Sequence, residues 1–205
     1  MIGGLGSRLA PSAVGRMDMR SPGSRLICKS IAALAVGGAG LAAVPAASAV
    51  CPGADAQPGD VSVTGYEASL LCVVNEQRHQ FGRRDLTPQR NLRRAAARHA
   101  SAMVAGGYFA HTSPDGVTFV DRLVRAKFIP SSGRWRAGEN LAAGRGTQGT
   151  PAAIATAWMN SKGHRRNLLE PGYTMVGIGV ARGWPAPGIG QSNSVTIDMD
   201  LGWRR

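Results

Sequence analysis

The sequence predicts an α+β domain in which several helices pack on a small sheet. Apolar residues recur at helical spacing between residues 64 and 160, and strand patterns occupy the segments after residue 174. A loop rich in glycine and proline, RGWPAPGIG, separates the two strand segments. Helices therefore come first and strands last, an order that is typical of an α+β arrangement.

The first two helices have recognisable ends. The first is predicted to begin at a capping box formed by Thr64 and Glu67 and to end near Gln80. Its apolar stripe consists of Leu70, Leu71 and Val74. A second helix is predicted to open at Thr87-Pro88, because threonine is a favourable cap and proline suits the first helical position. It is expected to stop at Gly106-Gly107.

Two shorter helices follow a turn. The segment SPDG at residues 113–116 has turn chemistry. A third helix is predicted over Thr118–Lys127, with an apolar side made of Phe119, Leu123 and Val124. A fourth helix opens at Thr150-Pro151, with an apolar face made of Ile154, Ala157 and Trp158.

Two strands complete the domain. MVGIGVA, residues 175–181, is predicted to be a short buried strand. SVTIDMDLG, residues 194–202, alternates between two kinds of side chain. One face carries Val195, Ile197, Met199 and Leu201, and the other carries Thr196, Asp198 and Asp200.

The first 49 residues have the features of a secretory signal peptide. A basic head is followed by the apolar run IAALAVGGAGLAAV and by the small-residue cleavage pattern Ala47-Ser48-Ala49. The alternative is a retained membrane anchor. The residues before the basic head fit no part of a signal peptide, so synthesis is expected to begin at Met17 or Met19. The predicted organisation is a leader over 1–49, an N-terminal arm over 50–63 and a folded domain over 64–205.

The chain is strongly basic, with a formal net charge of +12. Arg90, Arg94 and Arg98 recur on one face of the second helix. They form either a solvated face or an adhesive stripe for anionic envelope polymers or phospholipid head groups. Nucleic acid is not expected as a partner, because export separates the protein from it and no aromatic residues interleave the arginines. A monomer without a membrane span after processing is expected.

The cysteines agree with an oxidising compartment. Cys28 is lost with the leader, which leaves the pair Cys51 and Cys72. A disulfide between them would tie the N-terminal arm to the first helix. The alternative is a lipid-modified Cys51, which would leave Cys72 as a free thiol.

The four histidines are not equivalent. His79 is expected to be solvated at the end of the first helix, and His99 to be a satisfied core residue on the apolar face of the second. His111 and His164 each follow a helical segment and border turns, where side chains can converge on a cleft. Glu139, in AGENLAAG, is a third candidate. Two imidazoles and a carboxylate could bind a metal, transfer a proton or hold a polar ligand.

Three ordered motifs resemble a known family. They are YFAHTSPDG, GENLA and GHRRNLLEPGYTMVGIGVA, and they follow a helix of the form EASLLCVVNEQR. Over about Tyr66–Trp203 the chain resembles the compact bacterial form of the CAP superfamily, also called SCP domains. This superfamily contains cysteine-rich secretory proteins, antigen 5 and pathogenesis-related 1 proteins. The resemblance implies a three-layer α-β-α sandwich with a small, mostly antiparallel sheet, in a protein that is secreted or associated with the cell envelope.

The resemblance also implies a cleft lined by two histidines and two glutamates. Matched motif by motif, these are His111, His164 and Glu139, whereas the second glutamate is replaced by Ser161. Glu170 is near in sequence but matches no cleft position. His164 is expected at the head of a short helical turn with its ring facing the cleft, while Leu168 and Leu169 pack inward.

Three classes of function are consistent with these residues. The first is a binding module for a lipid, glycan or envelope component, since the resemblance implies lipid binding in some relatives. The second is a metal-assisted hydrolase of peptide or cell-wall bonds that uses Glu139, His111 and His164. The third is a structural envelope protein. No cofactor is expected to be required, although His111 and His164 are expected to bind Zn²⁺ weakly, because structural zinc sites need four ligands.

Overall fold

The computed structural model describes residues 51–187 and 192–205. The elements in chain order are α1 (Val63–Gln80), β1 (Thr87–Pro88), α2 (Arg90–Gly106), α3 (Phe119–Arg125), β2 (Trp135–Arg145), a 3₁₀ helix (Gly146–Gly149), α4 (Pro151–Asn160), α5 (Lys162–Leu168), β3 (Met175–Arg182) and β4 (Ser194–Arg204). The predicted α+β class is confirmed. The predicted leader, its cleavage site and the first residue of the arm lie outside the described residues.

The four strands form one mixed sheet in the order β1-β3-β4-β2. β4 is central and pairs antiparallel with both β2 and β3, whereas the two-residue β1 pairs parallel with β3. The sheet is therefore mostly antiparallel, as expected.

Helices cover both faces of this sheet and make the three layers of the sandwich. On one face, α1 and α4 contribute Leu70, Val74 and Trp158 to a core that includes Ile178 and Ile197 from the strands. On the other face, α2 and α3 form a smaller cluster around Leu92, Ala95, Leu123 and Phe128. Because both faces are covered, β4 is buried from Ser194 to Gly202, including the side that carries its aspartates.

Two glycines allow α2 to lie directly on the sheet. A Cβ added to Gly177 would overlap the backbone at Leu92 and Arg93, and one added to Gly179 would overlap the backbone at Ala96. The glycines of the MVGIGVA motif therefore let the helix approach β3 more closely than any side chain would permit.

Two predicted helix starts are wrong. The cap of α1 is Ser62, whose hydroxyl accepts from the backbone N–H of Gly65, so the helix does not begin at a Thr64–Glu67 capping box. The segment Thr87-Pro88 is a strand rather than a helix start, because Thr87 pairs with Met175. Gln89 is the N-cap of α2 instead, and its side-chain oxygen accepts from the N–H of Leu92.

β2 had no counterpart among the predicted elements. Its sequence, WRAGENLAAGR, is rich in glycine and alanine and lacks the β-branched residues that indicate strands. It becomes a strand because it pairs with β4 along its whole length, from Trp135↔Arg204 to Arg145↔Ser194. This pairing places Glu139 opposite Asp200 in the middle of the sheet.

Two covalent or polar links fasten the helices to the segments around them. The predicted disulfide Cys51–Cys72 is present and joins the arm to α1. Near the end of α1, the buried Arg78 donates from Nη1 to the carbonyl oxygen of Leu168 at 2.5 Å and from Nη2 to that of Tyr173 at 3.3 Å. Burial lowers the pKa of Arg78. The loop that follows α5 is thereby held against α1.

The arginine face of α2 is not uniformly solvated. Arg90 and Arg98 are exposed, whereas Arg94 is half-buried and donates to the carbonyl oxygen of Ala126. Arg94 thus has a structural contact with the end of α3, so the arginine stripe is not a single solvent-facing surface. Across residues 51–187 and 192–205, none of the helices is both long and apolar enough to span a bilayer.

Candidate functional site

Glu139 lies at the centre of the candidate site, on the sheet beneath a surface cleft. Its side chain is 3% exposed, and each carboxylate oxygen has its own partner. Oε1 accepts from Nη2 of Arg122 at 2.5 Å, and Oε2 lies 2.5 Å from Nδ1 of His111. The His111 side chain is 59% exposed, so the pair joins a buried anion to a ring at the surface.

Arg122 fixes both members of this pair. In addition to Glu139, its guanidinium donates from Nη2 to the carbonyl oxygen of His111 at 2.9 Å. Arg122 is held in α3, whose start is set by a capping box between Thr118 and Asp121. Arg122 was not among the predicted site residues. The one signal for it is indirect, since a buried carboxylate needs a cationic partner.

His164 reaches the same region from α5. The side-chain amide of Asn140, next to Glu139 on β2, donates to the carbonyl oxygen of His164 at 3.1 Å. Asn167, also on α5, donates to the backbone oxygen of Glu139 at 3.1 Å and to the side chain of Asn140 at 3.0 Å. These amides attach α5 to the strand that carries the glutamate. Neither asparagine was among the predicted site residues.

His111 and His164 lie in different electrostatic environments. Burial, followed by the electrostatic effect of the neighbouring His111, lowers the pKa of His164. His164 is therefore a neutral imidazole at neutral pH. His111 instead lies against a carboxylate, which can only accept a hydrogen bond, so its Nδ1 carries a proton and Nε2 is the ring nitrogen left to bind a metal ion.

This arrangement fits a weakly held metal ion. A histidine that ligates metal usually donates its other ring N–H to a carboxylate or carbonyl group, as His111 does to Glu139. Nε2 of His111 and the ring of His164 are then the candidate ligands in the cleft, and Glu139 orients His111 for that ion rather than contacting it. Two imidazoles are fewer ligands than a tightly bound zinc ion needs.

An apolar trough leads away from His164. Its volume is about 510 Å³, and it runs between the edge of β2 and α4. Its walls include the apolar residues Phe109, Leu141, Ala157 and Trp158 and the polar residues Gln148, Ser161 and His164. Ser161, which stands where the resemblance implies a glutamate, therefore lines the trough without adding charge.

The remaining candidates lie elsewhere. His79 is exposed at the end of α1 and pairs with Asp85 at 2.5 Å. Glu170 accepts from the backbone N–H of Gly172 and faces Arg136, outside the cleft, as expected. His99 is buried, as predicted for a core residue, but it is only partly satisfied, because its Nδ1 has no hydrogen-bond partner among the described residues.

The chain matches the sequence model of a known protein family. The model of the cysteine-rich secretory protein family, CAP, matches residues 71–189, which include His111, Glu139 and His164. The chain belongs to the CAP family. Membership agrees with the α-β-α sandwich and with the motifs in the sequence.

Relatives of this CAP domain occur in bacteria. The uncharacterized protein YkwD of Bacillus subtilis strain 168 is 36% identical over 118 residues, which are 58% of this chain and 43% of the relative. An extracellular protein containing an SCP domain from Bacillus anthracis strain Ames is 26% identical, with a TM-score of 0.51 over 69% of this chain and 44% of that one. The matches therefore cover less than half the length of each of these two relatives.

A third comparison concerns the fold alone. An outer surface protein from Borrelia burgdorferi has a TM-score of 0.58 at 19% identity, covering 71% of this chain and 97% of that chain. At this identity the similarity shows that the two proteins share a CAP fold and indicates nothing about a shared ligand.

Proposed function

We propose that the protein is a secreted CAP-domain binding module that holds an amphipathic lipid of the cell envelope. The carrying observation is the trough itself, whose lining is mainly apolar and includes three polar residues, Gln148, Ser161 and His164. Binding sites for small molecules are typically apolar with a few polar groups that orient the ligand. An acyl or isoprenoid chain would occupy the trough between β2 and α4, and a polar head group would meet His164 and Ser161.

The proposed location rests on three features. Residues 1–49 have the pattern of a signal peptide, and a disulfide joins Cys51 to Cys72. One structural relative is described as extracellular and another as an outer surface protein. N-terminal sequencing and intact mass of the protein from culture medium test this proposal, with cleavage after Ala49 as the expected result. A secreted chain that retains Ile31 would contradict it.

Substitution inside the trough tests the lipid proposal. Ala157 is exposed and lines the trough, so Ala157→Trp fills it without disturbing the core. Thr156→Trp places the same side chain at the adjacent exposed position, which does not line the trough. With a fluorescent fatty acid as probe, Ala157→Trp is expected to weaken binding at least about tenfold, or about 1.4 kcal/mol, while Thr156→Trp binds like the wild type.

The fatty-acid titration also separates the lipid-binding module from the structural envelope protein. Equal affinity in the wild type and both variants would show that the trough is not the binding site, and no binding at all would favour a structural envelope protein. Circular dichroism spectra that agree among the three proteins would show that neither result is caused by misfolding of a variant.

The alternative of metal-assisted hydrolysis is favoured by one observation, the His111–Glu139 pair. A bound metal would polarise a carbonyl group or lower the pKa of bound water. His111 would be a ligand of this ion, and Glu139 would orient the imidazole ring of His111. Both oxygens of Glu139 are already engaged, by Arg122 and His111, so this carboxylate is not poised as a general base. A peptidase or cell-wall hydrolase activity that is lost on chelation would replace the binding proposal.

A further inference from the structure

Three acidic side chains are buried together beneath the cleft. Glu139 is 7% exposed, Asp198 is 0% exposed and Asp200 is 1% exposed. Asp200 lies opposite Glu139 in the register of β4 and β2. On β3, Asp200 and Asp198 are paired with Gly177 and Gly179, which abut α2, so both aspartates lie on the face of β4 that α2 covers. Among the described residues, one buried guanidinium lies beside these carboxyl groups. It belongs to Arg122 and pairs with Glu139.

This cluster is short of positive charge. When all three carboxyl groups are ionised, Arg122 balances one of them and two negative charges remain in the interior. None of the four oxygens of Asp198 and Asp200 accepts a hydrogen bond from an N–H or hydroxyl donor of the described residues, and Asp198 lies within hydrogen-bond reach of the carboxyl groups of Glu139 and Asp200. A buried charge without a partner is too costly to persist, so two protons or a divalent cation must neutralise the pair.

His99 supplies an independent observation that favours a divalent cation over two protons. The ring is 1% exposed, and its Nε2 lies 3.0 Å from the carbonyl oxygen of Ala110, which can only accept. Nε2 therefore carries the proton, and Nδ1 has a lone pair that no donor of the described residues reaches. A neutral imidazole whose other nitrogen donates to a backbone carbonyl is the usual state of a metal ligand.

We propose that His99, Glu139 and Asp198 form a buried site for a divalent transition-metal ion. One ligand atom from each of these three side chains lies within 4.8 Å of those of the other two, a separation that small side-chain movements would close around an ion. Asp200, next to Glu139 in the sheet, supplies the second negative charge that a divalent ion balances. An imidazole with carboxylates suits Zn²⁺ or Mn²⁺.

The buried site differs from the weak cleft site in its ligands, but Glu139 takes part in both. It orients His111 in the cleft, and it is a ligand in the buried site through a lone pair that neither Arg122 nor His111 uses. The buried site does not depend on the lipid proposal. Its ligands are His99, Glu139 and Asp198, held by α2, β2 and β4, whereas the cleft ligands are His111 and His164 near the surface. A cavity of about 210 Å³ between α2 and α3 is lined by both His99 and Arg122 and provides an approach from solvent. Three ligands on rigid elements should hold an ion that dialysis removes from the cleft.

Metal analysis of the dialysed protein tests the proposal. The full chain is purified without chelator, dialysed, and measured by elemental analysis and native mass spectrometry. His99→Gln keeps a donor for Ala110 but removes the Nδ1 ligand, and Asp198→Asn keeps the shape of the side chain but removes its charge. The control is His164→Ala, which affects only the cleft.

The expected result is about one ion per chain in the wild type and in His164→Ala, with affinity for added Zn²⁺ or Mn²⁺ at least about tenfold weaker in the two buried-site variants. A wild type that neither retains nor binds either ion after dialysis would overturn the proposal. So would an Asp198→Asn variant that melts at or above the wild-type temperature without metal, because asparagine mimics a protonated aspartate and protons would then neutralise the cluster.

Discussion

Nδ1 of His111 lies 2.5 Å from Oε2 of Glu139, which joins a ring at the surface to a carboxylate inside the sheet. The same carboxylate is paired with the buried Arg122. The side chain of Glu139 therefore contacts both the interior of the domain and the histidine of the cleft. Changes at Glu139 are therefore expected to affect stability as well as ligand binding.

Glu139→Gln is expected to destabilise the protein by about 3 kcal/mol, because it leaves the guanidinium of Arg122 buried beside a neutral amide. Urea denaturation measures the free energy of unfolding. Glu67→Gln is the matched control, since Glu67 pairs with Arg93, whose side chain is 50% exposed, and should change stability by less than about 1 kcal/mol. Equal losses in the two variants would show that the Glu139–Arg122 pair is no more important than a surface pair.

The cleft is expected to bind Zn²⁺ weakly through His111 and His164. Calorimetric titration of the dialysed wild type should detect binding that His111→Ala and His164→Ala each reduce, and the melting temperature should not depend on the occupancy of this site. The reason is that two imidazoles give too little binding energy to determine folding. Identical titrations for all three proteins would rule this site out.

Zinc binding at the cleft should also depend on pH. Burial and the electrostatic effect of the neighbouring His111 lower the pKa of His164, so protons compete for this ring only at pH values below the ordinary histidine pKa of about 6.5. Affinity should therefore be nearly constant above about pH 7 and fall as the solution becomes more acidic. Titrations at several pH values give this profile, and an affinity that rises towards low pH would contradict it.

Replacing both cysteines by alanine should cost about 3 kcal/mol, because the Cys51–Cys72 bridge closes a loop with a sequence separation of 21. Thermal unfolding with and without reductant measures the effect. The wild type should melt at a lower temperature when reduced, whereas the double variant should be insensitive to reductant. A wild type that is equally stable in both conditions would show that the bridge contributes nothing to stability.

Gly177→Ala should prevent α2 from lying on β3, since the new Cβ would overlap the helix backbone at Leu92 and Arg93. Loss of several kcal/mol or failure to fold is expected. Gly163→Ala is the control, because nothing lies within 4 Å of a Cβ at this helical position and alanine should be neutral or stabilise by about 0.5–1 kcal/mol. Normal folding of Gly177→Ala would mean that the helix can shift away from the sheet.

The candidate site was only partly predictable. His111, Glu139 and His164 followed from their motifs, because each lies in a short segment whose residues are characteristic of the family. Arg122 could not be assigned in this way, since an arginine on a helix is usually solvated and its burial depends on the position of Glu139. Asn140 and Asn167 were missed for a similar reason, because amides acquire a role only when two elements meet.

The sequence by itself determined the amphipathic helices, the pairing of Cys51 with Cys72 and the alternation of β4, all of which depend on local spacing or on a count of residues. The tertiary structure decided that WRAGENLAAGR is a strand, because its small residues have little strand propensity and it is ordered by pairing with β4. It also decided that Asp198 and Asp200 are buried. Alternation shows which side chains share a face, but whether water or another helix covers that face depends on where α2 packs.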